Sequence, residues 1–209
     1  SVGGVGSPAA LYLAAAGVGT LGLIDDDAVG LSNLQRQIAF STDEVGKAKV
    51  AAAADRLTRL NPHVAVETHA ERLTPANAAE RIAAYDLVLD GTDDFQTRLW
   101  VNAACVATGR PLVSGALGRW TGQVGVFAGR PCYQCLVPDI PPDAETCARV
   151  GVVGALAGVI GSMAALEAIK LIAGAGQTLT GRLMLYDGLA GAARTVRVAP
   201  DPTCPVCGG

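Results

Sequence analysis

Short apolar segments alternate with helical patterns along the first half of the chain, and this alternation restricts the fold more than any other feature. Stretches 20–25, 64–68, 85–90 and 111–114 have the composition of buried strands. Helical patterns lie between them, at 75–84 and 97–108, and a capping box at 41–44 predicts a helix that ends at 61–62. Such a strand–helix repeat predicts a parallel sheet with helices on both faces.

The pattern changes in the second half of the chain. Strand-like stretches at 123–127, 182–186 and 195–198 flank a proline-rich segment and a long helix at 158–173. We therefore expect an α/β fold, Rossmann-like and doubly wound, whose mostly parallel sheet is extended by antiparallel strands. No linker divides the chain, which predicts one domain over residues 1–209. A first strand should precede the glycine turn described below, so we expect the sequence to begin late.

Composition and charge exclude some classes of protein. Half of the residues are hydrophobic and the formal net charge is −3, which argues against a general nucleic-acid binder. The uncharged run 150–166 is shorter than the ~20 apolar residues of a membrane span, so a buried or interface helix is expected and no membrane partner. No signal peptide is visible, which predicts a cytoplasmic protein.

The chain opens with a glycine-rich turn, SVGGVGSP, in which Gly3, Gly4 and Gly6 precede a helix. Glycines let backbone N–H groups approach a phosphate, and a helix N-terminus favours negative charge. Asp25 follows about 20 residues on, where a carboxylate binds a ribose hydroxyl in dinucleotide folds. A tight turn without a ligand is the alternative, because Ser1 replaces the first glycine of that fingerprint.

Several polar residues lie at 32–37, shortly after Asp25 at the end of the predicted strand. Arg36 offers a planar fork that matches phosphate oxygens, and Lys49 follows on the next helix. Together they predict a nucleotide site with a ribose acceptor followed by phosphate donors, and a solvated helix end is the alternative. The stretch also contributes Ser32, Asn33, Leu34, Gln35 and Gln37.

Two carboxylates follow the next apolar strand, in the sequence DGTDD. Ligands of open α/β sheets bind beyond the carboxyl ends of the strands, which places Asp93 and Asp94 near the same crevice. A carboxylate there can hold Mg²⁺ against nucleotide phosphates, and we assign this role to Asp93. Helix N-capping is the alternative, above all for Asp94.

Four of the six cysteines form two C-x-x-C pairs, Cys132 with Cys135 and Cys204 with Cys207. Two such knuckles can complete a tetrahedral zinc site, although their separation exceeds that of a common zinc ribbon. Redox-active pairs remain an alternative at this stage, because C-x-x-C also supports disulfide exchange.

The motifs GGVGSP, DDDAVGLSNLQRQ, VGKAK and DGTDD, the two C-x-x-C pairs and GVVGALAGVIGSMAALEAIKL resemble the E1-like adenylyltransferases of molybdopterin and thiamine biosynthesis. The resemblance covers essentially the whole chain. It implies ATP-dependent adenylation of the C-terminal glycine of a ubiquitin-like sulfur-carrier protein that ends in Gly-Gly, with release of pyrophosphate. It also implies a homodimer, a structural zinc and Mg–ATP. By motif, ATP and its metal would bind Gly4, Asp25, Ser32, Asn33, Leu34, Gln35, Arg36, Lys49, Asp93 and Asp94.

The resemblance favours zinc over redox pairs for the four cysteines. It leaves Cys147 open, because a cysteine at this place joins the carrier covalently in some members and is dispensable in others. Family members also carry a further N-terminal segment, whose arginine reaches the neighbouring subunit's ATP site. Two other functions compete: an NAD-dependent oxidoreductase, which leaves Arg36 and Lys49 without a role, and an inactive scaffold subunit that binds the carrier.

Overall fold

The computed structural model describes residues 1–140 and 151–208 and shows an α/β fold. Two 3-10 turns, Leu31–Asn33 and Thr42–Glu44, precede the second α-helix. The α-helices of the described residues are α1 (Gly6–Ala15), α2 (Lys49–Leu60), α3 (Ala78–Ala83), α4 (Phe95–Thr108), α5 (Tyr133–Leu136) and α6 (Gly154–Ala173). Their strands are β1 (Thr20–Ile24), β2 (Ala65–His69), β3 (Val88–Asp90), β4 (Leu112–Leu117), β5 (Thr121–Phe127), β6 (Arg182–Asp187) and β7 (Ala192–Arg197).

The described strands form two sheets rather than the single sheet that the sequence predicts. β1 and β2 pair in parallel, and the second sheet has the order β3-β4-β5-β6-β7. In the second sheet β3 and β4 are parallel, whereas the other three pairings are antiparallel. The α/β class and the antiparallel extension are as predicted, but the larger sheet is mixed rather than mostly parallel. Short turns join β4 to β5 and β6 to β7, and short turns permit only antiparallel pairing.

β1 and β3 do not pair with each other, and a cleft of about 680 Å³ is lined by residues of both strands. The Tyr85 ring lies in this cleft, directly on β1: a Cβ added to Gly22 would lie 2.3 Å from the ring. The Tyr85 hydroxyl donates to Glu67 at 2.8 Å and lies 2.9 Å from His69 Nε2. Burial and the Glu67 carboxylate raise the pKa of Tyr85 to about 12. The two sheets are therefore connected through side chains and helices in the part that the structure describes.

The capping box lies where the sequence predicts it, but it does not begin the helix. The Ser41 N–H donates to Glu44 Oε2 at 2.9 Å, and the box caps only the turn Thr42–Glu44. Gly46 follows with φ of 90°, a left-handed conformation that interrupts a right-handed helix. α2 consequently begins at Lys49, without a side-chain cap.

The long apolar helix α6 begins four residues earlier than predicted and packs against α1, β4 and β5. It is long and apolar enough to span a membrane, yet its buried face belongs to the core, as predicted. Its buried Glu167 accepts a hydrogen bond from the Leu179 backbone N–H at 2.6 Å and pairs with Lys170 at 2.5 Å. A buried carboxylate needs such partners, because desolvation without them is costly.

Gly161 permits α6 to pack closely against α1. A Cβ added to Gly161 would lie 2.4 Å from the Val5 carbonyl oxygen and 2.4 Å from Pro8 Cγ. Gly158, one turn earlier on the same helix, has nothing within 4 Å of such a Cβ. The two glycines therefore occupy the same helix in opposite environments, one against backbone and one in open space.

This contrast predicts opposite effects of two matched substitutions. Gly161→Ala should lower the free energy of unfolding by about 1–3 kcal/mol, because overpacking against a backbone oxygen forces α1 and α6 apart. Gly158→Ala should leave stability unchanged or raise it by up to about 1 kcal/mol, since alanine favours helix. Denaturant titration followed by circular dichroism measures both. Equal stability of the two variants would contradict the close contact between α1 and α6.

Candidate functional site

The glycine turn rests on the carboxylate of Asp25, one residue beyond β1. Asp25 Oδ2 accepts hydrogen bonds from Ser1 Oγ and from the Val2 backbone N–H, both at 2.9 Å. The turn is so tight that a Cβ on Gly6 would lie 1.9 Å from the Ser1 carbonyl oxygen. Only glycine fits there, and the turn leads directly into α1. The structure thus brings Asp25 and the glycines together, as the sequence predicts.

Lys49 is the first residue of α2, and its side chain is buried beside two carboxylates. Its Nζ lies 2.7 Å from Asp27 Oδ2 and 4.0 Å from Asp25 Oδ1. The Asp27 N–H in turn donates to Asp25 Oδ1 at 3.1 Å. A buried ammonium requires such partners. Asp27, which the sequence analysis left out of the site, is therefore the residue closest to the Lys49 charge; the DDD run was its only signal.

The Arg36 side chain lies along the glycine turn. A Cβ on Gly4 would lie 3.6 Å from Cγ and Cδ of Arg36. Arg36 Nη1 donates to the Ser32 carbonyl at 3.2 Å, while Asn33 Oδ1 accepts the Gly30 N–H at 3.3 Å. Within residues 1–140 and 151–208, no carboxylate forms an ion pair with Arg36. The aliphatic part of the side chain therefore lies beside the turn, and its guanidinium has no internal counter-ion from this part of the chain.

The start of α6 supports the segment that carries Arg36. Gln35 Nε2 donates to the Val152 carbonyl at 3.4 Å, and Leu34 packs against the main core. A Cβ on Gly154 would lie 1.9 Å from the Gln35 carbonyl oxygen, so glycine is required at this contact too. Gly154 is a positioning residue that the sequence analysis missed, because the contact joins segments far apart in the chain.

The end of β3 closes the third side of the site. A Cβ on Gly91 would lie 2.8 Å from Val5 Cβ, so the loop after β3 touches the glycine turn. Asp93 on this loop is exposed. Asp94 caps α4, since its Oδ1 accepts the N–H groups of Gln96 and Thr97 at 3.0 and 3.2 Å. For Asp94, then, the capping alternative is the role that the structure shows.

Arg98 is a further charged residue at this edge, and the sequence analysis missed it. Its guanidinium donates to the Thr92 carbonyl, with Nε at 3.0 Å, and lies over the Phe95 ring at 5.7 Å. The side chain is buried one turn into α4 and holds the loop that carries Asp93. A basic residue at the i+4 position from Asp94 was the available signal.

A groove of about 610 Å³ leads away from Asp93 across the larger sheet. Strands β4 to β7 form its floor, and the first turn of α4 forms one wall. The groove therefore connects the exposed carboxylate of Asp93 to the surface formed by these strands. Its polar lining includes Asp93, Arg98, Gln123, Tyr186, Asp187 and Arg194.

The four C-x-x-C cysteines come together, as predicted, although the two pairs are far apart in sequence. All four sulfurs lie within 4.8 Å of one another. Two contacts cross between the pairs, at 3.7 Å for Cys132–Cys204 and 3.4 Å for Cys135–Cys207. Four thiolates at about 2.3 Å from a tetrahedral zinc lie about 3.8 Å apart, so the donor set fits that metal. No S–S bond is present among these four cysteines, since such a bond requires about 2.05 Å.

Backbone donors prepare one of the sulfurs for metal binding. Burial acts to raise the pKa of Cys204, but the N–H groups of Cys207 and Val206 outweigh it and lower the pKa to about 7. Burial and the neighbouring thiols raise the pKa of Cys207 to about 12. The backbone donors thus favour the thiolate form of Cys204, which is the form of cysteine that binds a metal.

One predicted site residue, Cys147, lies outside the described residues. The remaining predicted residues fall into three groups. The glycine turn, Asp25, Lys49 and the Arg36 segment form one continuous edge; Asp93 lies at the entrance to the groove; and the four cysteines form a separate cluster beyond α4.

Comparisons with known proteins agree on one family. The ThiF family profile matches residues 2–206. The chain is 46% identical to the sulfur carrier protein adenylyltransferase of Thermus thermophilus, over 99% of this chain and 79% of that protein. It is 47% identical to the molybdopterin-synthase adenylyltransferase of Escherichia coli, over 99% of this chain and 84% of that protein.

Solved structures share the fold. The structure of E. coli MccB with ATP has a TM-score of 0.87 at 23% identity, and covers all of this chain. The structure of MccB with MccA-N7isoASN has a TM-score of 0.88 at 22% identity. The chain spans about 65% of the length of either of these proteins. With the family profile matched over almost every residue, the chain belongs to the ThiF family.

Proposed function

We propose that this protein adenylates the C-terminal glycine of a ubiquitin-like sulfur-carrier protein and releases pyrophosphate. The observation that carries the proposal is the convergence of the glycine turn, Arg36 and the loop that carries Asp93 at one edge of the fold. Relatives named as sulfur carrier and molybdopterin-synthase adenylyltransferases support the same reaction.

The nucleotide would lie along the edge formed by the glycine turn. Gly4 and the α1 N-terminus offer backbone N–H groups to phosphate oxygens, and Arg36 adds a guanidinium that no described carboxylate neutralises. Asp25 would bind the ribose from the end of β1, and Lys49, which pairs with Asp27, would add positive charge for the phosphates. The segment that carries Arg36 would form part of the same site, and it also contains Ser32, Asn33, Leu34 and Gln35.

The proposed contribution of this site to catalysis is positive charge rather than an acid or base. The attacking group is a carboxylate, already ionised near pH 7, and it approaches an α-phosphate of like charge. Arg36 and Lys49 would stabilise the negative charge that develops on the leaving pyrophosphate. The exposed Asp93 would hold Mg²⁺, which would supply further positive charge beside the phosphates.

The groove across β4 to β7 is the path that we propose for the carrier's tail. A peptide lying in it extends along the sheet and ends beside Asp93, next to the nucleotide edge. A Gly-Gly terminus suits this approach because two residues without side chains can pass close to the backbone of the loop. Asp94 would act here as the cap of α4 and hold the loop in place.

For the cysteine cluster we propose a structural zinc. Four thiolates close the coordination sphere, so the ion would have no open position for a substrate. It would join the C-terminal segment to α5, which adds stability without taking part in adenylation. A homodimer, a cytoplasmic location, a single domain over 1–209 and covalent attachment of the carrier to Cys147 remain parts of the proposal.

The proposed role of Arg36 can be tested by substitution. Arg36→Ala in the complete protein should lower the rate of carrier-dependent ATP–pyrophosphate exchange by about 10²–10³, the usual cost of one transition-state donor. Arg59→Ala is the matched control, because Arg59 is a surface arginine on α2 that pairs only with Asp55 among the described residues. Unchanged exchange in the Arg36 variant would remove its proposed role.

The two competing functions predict different results in the same experiment. An oxidoreductase should bind NADH and enhance its fluorescence, without exchanging pyrophosphate into ATP. An inactive scaffold should retain the carrier on a column, again without exchange. Radiolabelled pyrophosphate entering ATP only when the carrier is present would exclude both.

The proposed zinc site can be tested by substitution of one cysteine. Cys204→Ser should release most of the zinc and lower the melting temperature, because three thiolates leave the site open to water. Cys105→Ser is the control: Cys105 is buried in α4, apart from the cluster, so its loss should affect stability but not metal content. Elemental analysis by mass spectrometry measures zinc per chain. An unaltered zinc content in the Cys204 variant would exclude this cluster as the site.

A further inference from the structure

Asn102 lies in the middle of α4 and is 1% exposed. Its Nδ2 donates to Cys132 Sγ at 3.4 Å, and its Oδ1 accepts the backbone N–H of Tyr133 at 2.8 Å. Both ends of the amide are therefore engaged by two consecutive residues of the first cysteine knuckle. No part of the proposed nucleotide chemistry uses this residue.

The chemistry of its two partners determines which way the amide faces. The Tyr133 N–H can only donate, so the atom opposite it must be the carbonyl oxygen of Asn102. The other end of the amide, which faces Cys132 Sγ, is therefore the N–H₂ group. A sulfur that receives an N–H bond acts as the acceptor, and a thiolate accepts better than a thiol.

The amide is also held rigidly in place. Tyr133 is the first residue of α5, and its N–H is one of the donors that a helix N-terminus leaves without an intrahelical partner. Cys132 provides no side-chain cap for this helix. Asn102 supplies the missing acceptor from α4, and this bond aims its N–H₂ group at the neighbouring sulfur.

We propose that Asn102 is a positioning residue of the metal centre, which orients Cys132 Sγ and stabilises it as a thiolate ligand. The inference rests on the proposed zinc at this cluster. A second donor from outside the four cysteines is a backbone group, the Asp201 N–H at 3.5 Å from Cys135 Sγ. Asn102 contributes through its side chain, and a substitution can remove its contribution without altering the backbone.

The substitution Asn102→Asp tests the bond to Cys132 separately from the bond to Tyr133. The carboxylate keeps an acceptor for the Tyr133 N–H but replaces the donor to sulfur by an oxygen, which repels a thiolate. We expect metal affinity to fall by about 10–100-fold, the usual effect of losing a hydrogen bond to a metal ligand. Titration with Co²⁺ measures this directly from the thiolate-to-cobalt charge-transfer band, and displacement by Zn²⁺ then ranks the variants for zinc.

Val101→Ala is the matched control, because Val101 is the preceding residue of α4 and is buried in the neighbouring apolar cluster. It should lower the melting temperatures of the metal-free and metal-loaded proteins by the same amount, with unchanged Co²⁺ affinity. The Asn102 variant should instead reduce the increase in melting temperature that the metal causes. If Asn102→Asp does not fold, Asn102→Ala buries no charge and is compared with Val101→Ala by the same two measurements.

The outcomes distinguish the two proposals. If the unsubstituted protein shows no charge-transfer band and binds no zinc, the metal site itself is wrong. If the unsubstituted protein binds metal and the Asn102 variants bind it equally well, or if Val101→Ala weakens binding as much, the role of Asn102 is wrong while the metal site stands.

Discussion

The carboxylate of Asp25 is the group on which the arrangement of the nucleotide edge depends. It is buried at the end of β1 and accepts hydrogen bonds from the glycine turn and from Asp27, while Lys49 lies 4.0 Å away. A buried charge is tolerated only with such partners, and each charge-assisted bond contributes about 1.5–3 kcal/mol. These bonds connect the start of the chain, the end of β1 and the start of α2. The same residue thus stabilises the fold and aligns the turn.

Glycines whose backbone lies in close contact with neighbouring segments form the remaining walls of the site. At Gly6, Gly154 and Gly161, a Cβ would lie within 2.4 Å of a backbone oxygen or of a neighbouring side chain. Protein interiors adjust poorly to added atoms, so these contacts determine how α1, the Arg36 segment and α6 meet.

Helix α4 connects this edge to the cysteine cluster. Asp94 caps its N-terminus beside the loop of Asp93, and Asn102 lies about 12 Å further along, at 1.5 Å per residue. One rigid element therefore carries residues of both regions. In the cluster, the cysteines of the C-terminal segment contact those at the start and middle of α5.

The sequence alone predicted the α/β class, the family and most residues of the edge, because glycines before a helix, carboxylates at strand ends and paired cysteines are local patterns with direct chemical meaning. It failed where the outcome depends on contacts between distant segments. The capping box at Ser41 is a local exception, because Gly46 five residues later has a φ of 90° and interrupts the helix. The arrangement of the described strands in two sheets, with a cleft between β1 and β3, is likewise visible only in the tertiary structure. Only the tertiary structure showed that Lys49 faces Asp27, that Asp94 caps α4 and that Asn102 contacts Cys132. These side chains acquire their partners when the chain packs, and no spacing along the sequence determines which distant atom each one meets.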